Sequence, residues 1–195
     1  MPQPSCTPKH GNFALIALGG NVASTHGGPG ETLALALSAL AGDDIQVTAQ
    51  SRFYRTPCFP AGAGPDFVNA AAVVVTHLTP EVLLARLHEI ETAFERKRDA
   101  RWGARTLDLD LIAYEDRVLP DPETFTAWKD LPLEAQTQRA PASLILPHPR
   151  LQDRGFVLIP LADIAPDWRH PVLGQTVEQM LQALPEGQKT DIVPL

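Results

Sequence analysis

The chain has 195 residues, of which 44% are hydrophobic and 20% are charged, a composition typical of one globular domain and not of a disordered chain or a coiled coil. Its longest uninterrupted apolar runs, such as residues 70–75, are far shorter than the ~20 residues that a membrane-spanning helix needs. The net charge of −7 argues against nucleic acid or an anionic membrane surface as a partner.

The first half of the chain carries the periodic segments. Residues 13–18 predict a buried strand, and after a glycine-rich loop residues 31–41 place leucines at helical spacing. Residues 45–54 predict a second strand, and residues 55–66 are rich in glycine and proline and predict a loop. Residues 67–76 are almost continuously apolar, which favours a third strand in the centre of a sheet.

A second helix is predicted to begin at Thr79, because this residue can cap a helix, Pro80 suits the first helical position and Glu81 complements the helix dipole. Residues 106–113 alternate between polar and apolar side chains and predict a fourth strand. The order β-α-β-β-α-β is that of the split βαβ, or ferredoxin-like, arrangement. We therefore predict an α+β fold, an antiparallel sheet with two helices packed on one face.

The second half is irregular, since nine of the 19 prolines lie between residues 120 and 171. Beyond residue 119 we expect a long loop, followed by a C-terminal helical extension with short helices around 158–164 and 176–184.

The sharpest local signal is the pair Asp108 and Asp110. In a strand these carboxylates point to the same face, about 6.6 Å apart, while Leu107, Leu109 and Leu111 point to the core. Aspartate is disfavoured in strands, and two neighbouring carboxylates repel unless a cation lies between them. Mg²⁺ takes one or two carboxylates and completes its shell with water and phosphate oxygens, so the pair favours a magnesium site. The alternative is a solvent-facing strand that carries two acids.

A basic segment directly precedes this strand. Five of the 16 basic residues fall within ten positions, namely Arg96, Lys97, Arg98, Arg101 and Arg105. Arginine binds phosphate through paired hydrogen bonds, and arginines beside a magnesium site suit phosphoryl-type transfer. The alternative for the segment alone is a solvated, charged turn. The early Gly19-Gly20-Asn21 turn lacks the Lys-Ser or Lys-Thr pair of a phosphate-binding P-loop, which excludes that class.

Four segments then carry a resemblance to a known family. The run RWGARTLDLDL at 101–111 closely resembles the signature of the 6-hydroxymethyl-7,8-dihydropterin pyrophosphokinases of folate biosynthesis. Three further regions resemble, in the family's order, its glycine turn, its pterin-pocket segments and its downstream nucleotide-binding segment, at 17–21, at 51–57 with 65–70, and at 147–150 with 154–156. The match spans about residues 13–184 and implies the family's ferredoxin-like fold.

The resemblance implies a reaction in which pyrophosphate moves from ATP to the hydroxymethyl group of the pterin and AMP leaves. Asp108 and Asp110 would hold two Mg²⁺ ions, and Arg98 and Arg101 would be catalytic arginines that close over the triphosphate. The implied ATP-binding residues are His88, Glu91, Arg98, Trp102, Arg105, Leu111, His148 and Arg154. The implied pterin-binding residues are Thr56, Pro57, Phe59, Phe67, Asn69, Asp108 and Phe156.

The remaining expectations concern organisation and partners. We expect residues 13–195 to form a single domain after a flexible tail at 1–12, with an insertion at about 119–143 that is longer than the family would lead us to expect. The two cysteines are too few for a four-cysteine zinc site or a disulfide framework, and no secretory signal is recognisable, so a cytoplasmic protein is expected. ATP and the pterin are the expected partners of a monomer, with no nucleic acid and no membrane.

Two other function classes use part of this pattern. A magnesium-dependent nuclease or nucleotidyltransferase could employ the aspartate pair and the arginines, but the acidic net charge argues against a polymeric substrate. A non-catalytic ferredoxin-like binding module would not need both features together. Only a pyrophosphokinase should be stabilised in a thermal-shift measurement by both an ATP analogue with Mg²⁺ and a hydroxymethylpterin.

Overall fold

The structure is a computed structural model that describes residues 11–58, 64–94, 105–132, 135 and 139–195. In these ranges a six-stranded sheet has the order β5-β1-β4-β3-β6, with β2 also paired to β4, and its paired strands are antiparallel. The strands are β1 (Asn12–Gly20), β2 (Ile45–Gln50), β3 (Tyr54–Thr56), β4 (Phe67–Thr76), β5 (Asp108–Tyr114) and β6 (Val193–Pro194). The helices are α1 (Pro29–Leu40), α2 (Pro80–Ala93), α3 (Pro122–Lys129), α4 (Gly155–Ile164) and α5 (Val177–Ala183).

The predicted split βαβ order is confirmed, and β4 has the predicted bounds. The predicted second strand at 45–54 is wrong, because the chain leaves the sheet after Gln50 and returns as β3. Ser51 causes the interruption. Its hydroxyl accepts the hydrogen bond from the Ala71 N–H (2.9 Å) that a strand carbonyl would otherwise take, and its own N–H donates to the Ala71 carbonyl (2.9 Å).

Helices cover both faces of the sheet, whereas the periodicity predicted two helices on one face. On one face α1 and α2 pack through residues such as Leu33, Leu37, Leu83 and Leu87 against the strands. On the opposite face α4 and α5 bury a second cluster around Leu158, Leu161, Val177 and Met180. The mostly apolar strand β4 is therefore central and covered on both sides, as its composition predicts.

The predicted long loop after residue 119 contains the helix α3. Asp121 caps it by accepting a hydrogen bond from the Thr124 N–H (2.8 Å), and Pro122 stands at the first helical position. Phe125 anchors the helix, since its side chain is fully buried. Leu119 and Leu146 exchange both backbone hydrogen bonds (2.9 and 3.1 Å) at the base of this segment, which we call the 120–145 excursion.

The strand β5 is an edge strand, paired on one side with β1. Along its other edge, the His148 N–H donates to the Ile112 carbonyl (2.7 Å), which brings the segment after the excursion against the strand. None of the helices in the described ranges is both long and apolar enough to span a bilayer.

Candidate active site

Side chains from distant parts of the sequence meet on one face of the sheet because of the strand register. Gly19 of β1 is paired with Asp108 of β5 on one side and with Asn69 of β4 on the other, and Asn69 is in turn paired with Tyr54 of β3. We call these four residues the strand row. Adjacent strands are ~4.8 Å apart, so the Cα atoms of Asp108 and Asn69 lie roughly 10 Å apart, with Gly19 between them.

Gly19 leaves the floor between Asp108 and Asn69 open. A Cβ atom at position 19 would stand 2.8 Å from the Asn69 side-chain oxygen, closer than such contacts occur in proteins. The Asn69 amide is 6% exposed, and its Nδ2 donates to the Thr56 hydroxyl (2.9 Å). The amide is therefore held in place beside Gly19, with donor and acceptor capacity suited to the edge of a flat heterocycle.

The other described residues of the implied pterin set are Phe67, Phe156 and Pro57. Phe67 is half-buried and paired with Thr56, directly beyond the strand row. Phe156 is 37% exposed at the start of α4, and the Arg154 guanidinium carbon lies 5.6 Å from the centroid of its ring. Pro57 follows β3 and is exposed. The structure thus brings the Phe67 ring and the buried Asn69 amide to the same end of the sheet.

The predicted carboxylate pair is placed as the alternation predicts. Leu107, Leu109 and Leu111 are at most 3% exposed and belong to the core under α1 and α2. Asp108 and Asp110 are half-buried on the opposite face, where Arg105 forms an ion pair with Asp108.

The two carboxylates are a chemically suitable donor set for Mg²⁺, which prefers hard oxygen ligands. Within the described ranges the structure contains no group of three or more histidine, cysteine, aspartate or glutamate side chains placed to hold a metal ion. An ion at Asp108 and Asp110 would take the rest of its shell from water and phosphate oxygens, which is the usual arrangement for Mg²⁺ in phosphoryl transfer.

Asn21 ties three parts of the site together. The Arg105 N–H donates to its side-chain oxygen (2.8 Å), and its own N–H donates to the Arg105 carbonyl (2.9 Å). Its Nδ2 donates to the Pro65 carbonyl (3.2 Å), just before β4. Asn21 is 5% exposed, so its amide is desolvated and this hydrogen-bonded geometry is strongly preferred.

Glu91 and His88 lie one turn apart on α2 but have different surroundings. Glu91 is 1% exposed, and its Oε1 accepts a hydrogen bond from the Leu109 N–H (2.8 Å), at the centre of the Asp-Leu-Asp run. His88 is half-buried on the outer surface of the helix. Neither residue lines the cleft that lies beside Asp110 and Leu111 of β5.

An open cleft of about 470 Å³ runs along the free edge of β5, and we call it the edge cleft. It is lined by Asp110 and Leu111 of β5, by Leu84 of α2, by His148 and by Arg154. The implied ATP-binding residues Leu111, His148 and Arg154 therefore share one cleft with the second aspartate of the pair. The cleft and the strand row meet at β5.

His148 is held as an uncharged donor. Burial, with a further contribution from the charge of Arg154, lowers the pKa of His148 to about 3. Its Nδ1 accepts a hydrogen bond from the Arg150 N–H (3.1 Å), so the proton of the neutral ring lies on Nε2. The imidazole can then donate a hydrogen bond to an acceptor such as a phosphate oxygen.

Arg154 is half-buried, and its guanidinium interacts with the charges of both carboxylates. Burial lowers its pKa, and the negative charge of Asp110 opposes this shift. The guanidinium remains charged, because arginine keeps its proton in proteins. Arg139 and Arg150 also line the edge cleft, so its described lining includes three arginines. This charge distribution suits an anionic ligand that carries its own divalent cation.

Four implied site residues, Arg98, Arg101, Trp102 and Phe59, lie outside the described residues.

The sequence pattern did not single out Asn21, Trp128, Arg139 or Arg150. Asn21 had a usable signal, because a polar side chain directly after an apolar strand and two glycines is typical of a turn at a site. Trp128 follows Asp121-Pro122-Glu123, a helix start of the same kind as the one recognised at Thr79. Arg150 lay within the resembling segment 147–150 but was not assigned to the site, and Arg139 carried no local signal, since its place at the cleft depends on the path of an irregular segment.

Known proteins resemble the chain over most of its length. It is 37% identical over 179 residues to the 2-amino-4-hydroxy-6-hydroxymethyldihydropteridine pyrophosphokinase of Synechocystis sp., covering 92% of this chain and 80% of the relative. It is 37% identical over 176 residues to the protein of the same name from Methylorubrum extorquens, covering 89% of this chain and 95% of the relative. A Plasmodium falciparum HPPK-DHPS structure with SDX-DHP matches with a TM-score of 0.61 at 14% identity, over 88% of this chain and 43% of that chain, and supports the fold.

The family comparison agrees with these relatives and with the arrangement of the site. Residues 15–166 match the model of 7,8-dihydro-6-hydroxymethylpterin-pyrophosphokinase, a range that includes the strand row, both aspartates, His148 and Arg154. The matched range also contains the whole 120–145 excursion. The chain therefore belongs to the 7,8-dihydro-6-hydroxymethylpterin-pyrophosphokinase family.

Proposed function

We propose that this pyrophosphokinase of folate biosynthesis transfers the β,γ-diphosphate of ATP to 6-hydroxymethyl-7,8-dihydropterin. The hydroxymethyl oxygen attacks the β-phosphorus, the bond from that phosphorus to the oxygen bridging to the α-phosphorus breaks, and AMP leaves with the bridging oxygen. The hydroxyl proton is released. The observation that carries the proposal is the strand row, which puts a carboxylate and an ordered amide on opposite sides of the open floor at Gly19.

The pterin lies over the floor at Gly19. Asn69 recognises the amide-like edge of the ring, with Thr56 fixing the orientation of its side chain through the 2.9 Å hydrogen bond. Phe67 and Phe156 supply apolar walls for the flat ring, together with Phe59 and the backbone around Pro57. The hydroxymethyl group then points along the row towards Asp108.

The phosphates lie at the other end of the row. Asp108 and Asp110 would hold two Mg²⁺ ions, which would neutralise the charge of the phosphate oxygens. Arg105, paired with Asp108, and Arg154, close to Asp110, add positive charge. The Nε2–H of His148 donates to a phosphate oxygen, and Arg98, Arg101 and Trp102 close over the triphosphate.

Leu111, His88 and Glu91 complete the proposed nucleotide side. Leu111 is 3% exposed, and its backbone forms part of the edge cleft beside the base. Glu91 accepts a hydrogen bond from the Leu109 N–H, which fixes the strand between the two aspartates. His88 borders the proposed nucleotide site from the outer surface of α2.

The proposed function includes an oligomeric state and a cellular location for the enzyme. It acts as a monomer, since both substrates reach the same face of one sheet and the residues assigned to them come from a single chain. It acts in the cytoplasm, where ATP is available, and it uses small-molecule partners without nucleic acid or a membrane.

The identity of the products tests the proposal. The purified chain is incubated with ATP, Mg²⁺ and 6-hydroxymethyl-7,8-dihydropterin, and the products are separated by chromatography. We expect AMP and the pterin diphosphate in equal amounts, and neither product with 6-methyl-7,8-dihydropterin, which has no acceptor oxygen. Formation of ADP and a pterin monophosphate would contradict diphosphate transfer.

A further inference from the structure

The edge cleft contains one aromatic residue that the sequence resemblance does not account for. Among the described lining residues, Trp128 is the one tryptophan, tyrosine or phenylalanine. It comes from α3, within the 120–145 excursion. The other apolar side chains on the cleft wall include Leu84, Leu111 and Ile145, all of them aliphatic.

The 120–145 excursion holds Trp128 at a defined place. Phe125, three residues earlier and on the same side of α3, is fully buried, with its ring centroid 5.5 Å from that of the buried His170. The Asp121 cap fixes the start of the helix, and the Leu119–Leu146 hydrogen bonds fix the base of the excursion. Trp128 therefore lies on a helix anchored to the body of the protein.

The two sides of the edge cleft suit different parts of a nucleotide. Asp110, His148 and Arg154 bring carboxylate, hydrogen-bond donor and cation to its sheet side, which suits a triphosphate with a divalent cation. The excursion brings the half-buried indole ring of Trp128, a flat apolar surface that suits a purine. Stacking on an aromatic side chain is a common and strong way for proteins to hold a base.

We propose that Trp128 is a base-binding residue that stacks on the adenine of ATP, so that α3 forms the base-side wall of the edge cleft. This inference rests on the proposed function for the identity of the nucleotide. Trp128 makes its contact with the base in both the bound state and the reacting state, so it contributes uniform binding and not acceleration of the transfer.

Calorimetric titration with α,β-methylene-ATP and Mg²⁺ tests the assignment. Trp128→Leu keeps an apolar side chain on α3 but removes the ring, while Trp128→Phe keeps a smaller ring. We expect the dissociation constant of the leucine variant to rise on the order of tenfold or more, and that of the phenylalanine variant to stay within about threefold. Inorganic tripolyphosphate, which has no base, should bind all three proteins equally.

Arg86→Ala is the matched surface control, since Arg86 lies on α2, pairs with Glu89 and does not line the cleft. Unchanged binding of the ATP analogue by Trp128→Leu would overturn the assignment. An equal loss of tripolyphosphate binding would also overturn it, because Trp128 would then support the cleft as a whole. A wild-type protein that binds the analogue but forms no AMP would contradict the proposed function, while the binding ratios would still decide the role of Trp128.

Discussion

The strand row and the edge cleft meet at β5, but they are held in place in different ways. In the row, Gly19, Asn69 and Asp108 are fixed by backbone hydrogen bonds between three neighbouring strands. In the cleft, Trp128, His148 and Arg154 come from a short helix and irregular segments that follow β5. The row uses the most regular part of the fold, and the cleft uses the least regular part.

This difference separates two requirements of the reaction. The distance from the acceptor oxygen to the phosphorus must be held within narrow limits. A strand register can do this, because the distances between paired strands vary little. Binding of the base tolerates more variation, because it supplies affinity at a distance from the reacting atoms. Substitutions in the row should therefore change turnover or pterin binding, and substitutions in the cleft should change nucleotide binding.

The largest effect is expected at the point where the two regions meet. Asp108→Asn and Asp110→Asn keep the size of the side chain but remove the charge proposed to hold Mg²⁺, so turnover should fall by roughly a hundredfold or more. AMP formation at saturating Mg²⁺ is the measurement, with Asp116→Asn, an exposed residue after β5, as the control. Turnover near that of the wild type in either variant would contradict the magnesium site.

A smaller loss of turnover is expected for Arg98→Ala and Arg101→Ala. Their charges are proposed to meet the triphosphate as it reacts, so each change should lower kcat on the order of tenfold and leave the KM for the pterin nearly unchanged. Steady-state kinetics with the pterin varied at saturating ATP separates the two constants. A strong rise in the pterin KM at unchanged kcat would place these arginines with the pterin instead.

The floor of the strand row gives a more selective change. Gly19→Ala places a methyl group 2.8 Å from the Asn69 side-chain oxygen, so the amide must move and the pterin loses its partner. We expect the pterin affinity to fall roughly tenfold while the affinity for α,β-methylene-ATP is unchanged. Gly30→Ala is the matched control, since an added Cβ there meets no atom within 4 Å. Equal effects of the two substitutions would show that position 19 has no special role.

The smallest effect concerns acid stability beneath the cleft. Burial lowers the pKa of His170 to about 4, and its Nδ1 accepts hydrogen bonds from the Val172 and Leu173 N–H groups. As the pH falls from about 6.5 towards 4, the unfolded chain binds a proton that the native ring does not, so the free energy of unfolding decreases by up to ~1.4 kcal/mol per pH unit. Urea unfolding over this pH range should give a shallower slope for His170→Asn than for the wild type. Parallel slopes would contradict a buried neutral imidazole.

The strand row is also the part of the site that the sequence pattern predicts well. The alternation at Asp108 and Asp110 predicts the face they share, and the strands 13–18 and 67–76 predict the core beside them. These signals depend only on neighbouring residues, because successive side chains of a strand point to opposite faces of the sheet. The break after Gln50 was missed, since a serine hydroxyl that replaces a strand carbonyl leaves no trace in the hydrophobic pattern.

The cleft was predictable only in part. His148 and Arg154 were identified through the family resemblance and not from a pattern. The buried position of Glu91 could not be read from its spacing, because it depends on a hydrogen bond to a residue eighteen positions away. Trp128 reaches the cleft because Phe125 is buried beside His170, a contact across more than forty residues that no local signal contains.

The paired hydrogen bonds between Leu119 and Leu146 have a consequence for how such enzymes diverge. The chain enters and leaves the excursion at one point, so a change of length that keeps Phe125 in its buried place costs mainly loop closure, which grows slowly with the number of residues. A new segment can be exchanged there without shifting the register of β5 or of its neighbours. Affinity for the nucleotide can thus evolve, or be engineered, by exchange of this segment while the catalytic sheet stays unchanged.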